Sequence, residues 1–137
     1  MIEEALYSRL SGYSGLTALL GSAGGGPAVF PVWLPEDPPY PCVTFTRISA
    51  TRPVAMGSNP GIVLARYQVD VWGLTFEAVR NAADQVRQAL LRLRATISST
   101  EILDSFLENE DQVAPELVNG MLVYRVSLDF TIDYRES

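Results

Sequence analysis

Leu122-Val123-Tyr124-Arg125-Val126-Ser127-Leu128-Asp129-Phe130-Thr131-Ile132-Asp133-Tyr134 decides the fold. Leu122, Tyr124, Val126, Leu128, Phe130, Ile132 and Tyr134 recur at every second position. Arg125, Ser127, Asp129, Thr131, Asp133 and Arg135 fall between them. A period of two places successive side chains on opposite faces of an extended chain, so this is a strand with one buried and one polar side. Fully extended, Gly120 to Tyr134 would reach roughly 45 to 50 Å at ~3.3 Å per residue. A domain of this size has a radius of gyration near ~14 Å. The strand therefore either bends or has its end sheltered by another chain.

Upstream lie segments able to pair with it. Val63 to Trp72 puts Val63, Ala65, Tyr67, Val69 and Val71 on one face, with Arg66, Gln68 and Asp70 on the other. Cys42 to Ser49 is rich in β-branched and aromatic residues and reads as a further strand. Glu101 to Glu108 alternates more weakly, opposing Leu103, Ser105 and Leu107 to Ile102, Asp104 and Phe106. The Glu108-Asn109-Glu110-Asp111 cluster after it reads as a charged turn. Val29 to Leu34 is broken by Pro31, which suits an edge strand, and the proline-rich run from Pro35 to Pro41 is a stiff extended connection.

Helical spacing occurs in two places. After Thr75, a candidate N-cap, Phe76, Val79, Ala83, Val86, Leu90 and Leu93 form one apolar stripe, and Arg92 and Arg94 are expected in the last turn. Ile2, Leu6 and Leu10 predict a shorter helix ending near Gly12, with Glu3 and Glu4 in its first turn. Ser14 is expected to cap a brief turn carrying Leu16, Leu19 and Leu20. The Gly21 to Pro27 tract joins this cap to the sheet. The expected fold is α+β over a single domain, residues 1–137: a mainly antiparallel mixed sheet with one long amphipathic helix packed on it and a short N-terminal helical segment.

Composition removes whole classes of chemistry. The chain has 137 residues, 16 acidic and 10 basic side chains, no histidine, and every basic residue is arginine. Histidine triads, imidazole metal sites, lysine Schiff bases and a P-loop are all excluded. Cys42, the single cysteine, has no intrachain disulfide partner and sits in an apolar stretch. Asp129 and Asp133 share a strand face but stand ~13 Å apart, too far for a glycosidase pair. The Glu108, Glu110 and Asp111 cluster lacks the spacing of a calcium loop. Ser49 and Ser105 have no histidine or lysine base. No catalytic residue, metal ligand or cofactor site is expected. The net charge of −6 weighs against close nucleic-acid binding, no segment resembles a membrane span, and the acidic N-terminus is unlike a signal peptide.

What stands out is surface suited to contact. Trp72 and Leu64 fall on the polar face of their strand and Trp33 lies beside the proline run. Tryptophan and arginine are favoured where proteins meet, although intrachain cover by a helix or loop would equally explain either tryptophan. The connection from Ala50 to Ile62 exceeds a tight hairpin, and Arg52, Val54 and Met56 make it a candidate contact arm.

Four signatures occur in order along nearly the whole chain. They are Ile2-Glu3-Glu4-Ala5-Leu6-Tyr7-Ser8-Arg9-Leu10; Pro39-Tyr40-Pro41-Cys42-Val43-Thr44-Phe45-Thr46-Arg47-Ile48-Ser49; Ala65-Arg66-Tyr67-Gln68-Val69-Asp70-Val71-Trp72-Gly73 leading into an Ala-rich helix; and Tyr124-Arg125-Val126-Ser127-Leu128-Asp129-Phe130 followed by Tyr134-Arg135-Glu136. The pattern resembles the tail completion or tail terminator proteins of long-tailed phages and gene transfer agents. That resemblance implies a non-enzymatic virion subunit, made in the bacterial host cytoplasm, that forms a hexameric ring at the head-proximal end of the tail. One face of the ring caps the tail tube protein and the other docks the head-tail connector or head-closure protein, while DNA passes through the lumen without specific binding. On this reading Arg52, Val54 and Met56 make ring or tube contacts, Trp72 is an interface residue, and Arg125, Asp129, Asp133 and Arg135 make polar contacts between subunits. A head-closure or minor tail component is the nearest alternative role, and a small-molecule-binding α+β domain a more distant one.

Overall fold

The computed structural model describes residues 1–23, 25–32, 34–53 and 61–135. Its elements in chain order are α1 (Ile2–Gly12), α2 (Ser14–Thr17), β1 (Ser22–Ala23), β2 (Gly26–Pro27), β3 (Val29–Pro31), β4 (Cys42–Thr51), β5 (Ile62–Gly73), α3 (Phe76–Leu90), β6 (Ala95–Ile97), β7 (Thr100–Val118) and β8 (Met121–Arg135). β1 and β2 form a two-residue ladder. The other six strands make one mixed sheet ordered β3-β4-β5-β8-β7-β6. All its pairings are antiparallel except β3 with β4, which run parallel. The sheet curls into a half-barrel.

The alternation of the last strand holds from Val126 to Tyr134, where every second residue is buried. Val69 pairs with Leu128 and Tyr67 with Phe130, so the apolar faces of β5 and β8 coincide. β4 adds Val43 and Phe45 to that face. α3 lies across it, burying Val79, Ala82, Ala83, Val86, Ala89 and Leu90; a side chain the size of Val86 or Leu90 contributes about 1.5 to 3 kcal/mol when fully buried. α1 closes the same core with Ile2, Ala5, Leu6 and Leu10. At the other end of β8 the pattern slips: Val123 is buried while Leu122 is exposed.

The local chemistry explains most element ends. Thr75 caps α3, its Oγ1 accepting the Ala78 N–H at 3.1 Å. A Cβ on Gly73 would stand 2.7 Å from Val79 Cγ2, so glycine lets the chain turn from β5 into α3 at close approach. Asn119 and Gly120 both have positive φ, 52° and 79°, the two-residue turn that matches strand twist, and they join β7 to β8.

Several expectations are corrected. α3 ends at Leu90, so Arg92 and Arg94 lie beyond it, Arg92 with φ 54°, and Asp104 draws both onto β7. Ser14 is the first residue of α2 rather than its cap; the cap position is Tyr13, which makes no side-chain cap bond. The acidic cluster 108–111 continues β7 rather than turning. β6 covers only Thr100 to Ile102 of β7, leaving the rest of that side without a strand neighbour among the described residues, where charge is tolerated. Register shifts at Ile102/Asp104, Leu107/Asn109 and Val113/Glu116 break its alternation. Finally, β8 is flanked by β5 from Tyr124 and by β7 throughout. The curl takes up its length within one chain, so that length is no argument for shelter by another.

Candidate assembly surfaces

Three features of the described surface invite contact: an arginine-lined concavity, the sheet face turned away from the helices, and the bare side of β7. The concavity opens where β4 and β8 end beside the start of α1. It measures about 390 Å³ and is lined by Met1, Ile2, Glu3, Arg47, Arg52, Thr100, Tyr134 and Arg135. Its floor is a hydrogen-bonded network. Tyr67 Oη donates to Glu3 Oε2. Arg47 donates through Nε to Tyr67 Oη at 3.1 Å and through Nη2 to Tyr134 Oη at 2.6 Å, and its Nη2 lies 3.5 Å from Glu3 Oε2. Burial pushes the Tyr67 phenol above its ordinary range, the hydrogen bond to Glu3 adds to this, and Arg47 opposes it. The phenol therefore stays protonated and donates. Arg135 Nε holds Glu101 at 3.1 Å, and Arg52 is also held by an interaction within the chain.

On the helix-free face, Trp72 is half-buried. Its indole N–H donates to Thr44 Oγ1 at 3.2 Å and the Arg125 guanidinium lies 4.9 Å from its ring centroid. Arg125 Nε is buried and makes no hydrogen bond among the described residues. Further along, Asp129 pairs with Arg66 at 3.7 Å. Asp133 lies opposite Asp104, and its carboxyl is held above the usual range by burial and then by the Asp104 charge. Asp104 goes the other way: desolvation raises it, but the Ser105 N–H, Arg94 and Arg92 together bring it below the ordinary value. Arg92 grips it twice at 2.9 Å and Arg94 once at 3.0 Å.

The structure thus places Trp72 with Arg125, and Arg52 with Arg135, while Asp129 and Asp133 share a face, Asp129 paired with Arg66 and Asp133 facing the like charge of Asp104. Trp33, Val54 and Met56 lie outside the described residues. Sequence reading missed the Glu3–Tyr67–Arg47–Tyr134 network. The signal was a tyrosine within the apolar stripe of β5, because a buried phenol requires a partner. Cys42 is fully buried, its thiol pushed up to about 12 by that burial, which makes it unreactive. Among the described residues no group of three or more His, Cys, Asp or Glu is placed to hold a metal ion, and no helix is long and apolar enough to cross a membrane.

The comparison with known families decides the affiliation: the model of tail completion protein gp17 matches residues 4–134. The chain belongs to the tail completion protein gp17 family. In fold it is similar to a chain from the structure titled "Virion of native gene transfer agent (GTA) particle", with TM-score 0.68, 17% identity, and coverage of 96% of this chain and 92% of that one. A second solved chain aligns with TM-score 0.51 at 16% identity, covering 99% and 96%. No curated protein sequence matches. The order of signatures that resembled tail completion proteins thus belongs to this family, and α1, β4, β5, α3 and β8 are the elements that carry those signatures.

Proposed function

We propose that this tail completion family member is a structural virion protein: a tail terminator that assembles as a hexameric ring at the head-proximal end of the tail tube. There it ends tube polymerisation and forms the joint to the head connector, with DNA passing through the lumen. The family match across residues 4–134 carries the reading. The likeness to a chain of a gene transfer agent virion supports association with other virion proteins and a place within the particle.

The geometry is suited to such work. The sheet ends in different strands on its two sides, so the chain offers two unlike lateral surfaces, and repeated contact between unlike surfaces closes into a ring when the rotation permits. Trp72 with Arg125 furnishes the helix-free face with residue types that anchor interfaces, and Asp129 and Asp133 add polar groups further along it. Arg52 and Arg135 do the same at the concavity, and Val54 and Met56 extend this set along the 52–61 connection. Net negative charge suits a lumen wall that repels phosphate and lets DNA slide.

The purified protein tests the ring. At high concentration, light scattering and negative-stain images should give particles of six 15.0 kDa chains with sixfold symmetry. A single-chain mass up to the solubility limit would contradict self-assembly into a ring.

A further inference from the structure

Two lateral surfaces of the sheet remain without a strand neighbour among the described residues. β3 covers β4 only from Val43 to Phe45, leaving the side of Arg47 to Thr51 bare, and β6 covers β7 only as far as Ile102. The strand order puts these towards the two ends of the sheet. Both are irregular: β4 shifts register between Arg47 and Ser49, and β7 shifts three times and carries Pro115. Bulges and proline interrupt the row of backbone donors and acceptors that main-chain pairing needs, which favours contact through side chains there.

Their charges are opposite. From the end of β4 across to Thr100 of β7 and Tyr134 of β8, Arg47, Arg52 and Arg135 converge on the concavity with Glu3 in its lining and Glu101 beside Arg135, three of the ten arginines of a chain with net charge −6. A guanidinium has five N–H donors, so one engaged within the chain still recognises a second carboxylate. Along the bare side of β7 run Glu108, Glu110, Asp111 and Glu116, all exposed; Glu110 is paired with Arg80 of α3 at 3.5 Å and Asp111 accepts from Asn109 at 2.8 Å. Glu108 is the extra residue of a bulge, lying between the Leu107 and Asn109 pairings.

From this complementarity we infer that the occupant of the arginine concavity is the acidic side of β7 from a second copy of this chain, giving a head-to-tail contact in which every copy donates one surface and receives the other. The inference rests on the ring reading and specifies its polarity. Charge reversal tests it. Under conditions where the wild type assembles, Arg52→Glu and Glu108→Arg should each raise the concentration needed for assembly at least about tenfold, since juxtaposed like charges strongly suppress association. The double variant should recover most of that loss, which a folding defect in either single variant would not permit. Single variants that assemble like the wild type, or a double variant no better than either single one, would overturn the contact while leaving the ring intact. A wild type that never assembles removes the ring reading itself, and this contact with it.

Discussion

Tyr67 shows how one polar atom ties two elements together. Its ring fills the core of β5 while its hydroxyl donates to Glu3 of α1 and accepts from Arg47 of β4. Tyr67→Phe keeps the ring and leaves Glu3 and Arg47 without that partner, so unfolding in urea should show a loss of about 1 to 2 kcal/mol; an unchanged midpoint would mean the network adds nothing. Asp133 predicts the opposite sign. Its folded carboxyl holds a proton more tightly than in the unfolded chain, because of burial and then Asp104. It therefore favours folding below the ordinary carboxylate pKa near ~4 and opposes folding as pH rises through the raised value. Asp133→Asn should stabilise the protein by about 0.2 to 1 kcal/mol at pH 7, the scale of a like-charge pair across strands. The gain should vanish below about pH 4 in melts across that range.

At the scale of elements, much was legible because burial imposes periodicity. The stripes of β5, β8 and α3 each face one core, so a period of 2 or 3.6 reports them directly. β7 was read only in part because one side faces solvent: its acids need no partner strand, and its bulges break the alternation that would have marked it. The start of α3 was legible in Thr75 and its end was not, since Asp104, distant in sequence, draws Arg92 and Arg94 out of the last turn. The Glu3–Tyr67–Arg47–Tyr134 network likewise joins residues far apart in the chain; the local pattern marks Tyr67 as needing a partner but does not say which residues supply it. The junction of β5 with α3 gives a prediction of its own. Gly73→Ala places a methyl group 2.7 Å from Val79 Cγ2, where the branched side chain has little room to yield. Thermal unfolding should show a loss of about 1 to 3 kcal/mol from overpacking, and a neutral result would mean the helix can slide away from the sheet at little cost.

For the whole molecule, the chemistry absent from the sequence and the surfaces present in the fold point the same way. A chain with arginine as its only basic residue and no histidine has planar, permanently charged donors suited to carboxylates at interfaces and little equipment for proton transfer near neutral pH. Its family is that of tail completion protein gp17, and the proposed terminator role makes its work geometric: stopping a polymer and presenting a joint. The most direct measurement of that claim is electron microscopy of particles produced without this protein and with it restored. The account predicts overlong tails that fail to join heads in its absence, returning to uniform, joined tails on complementation. Joined particles of normal tail length made without it would contradict the account.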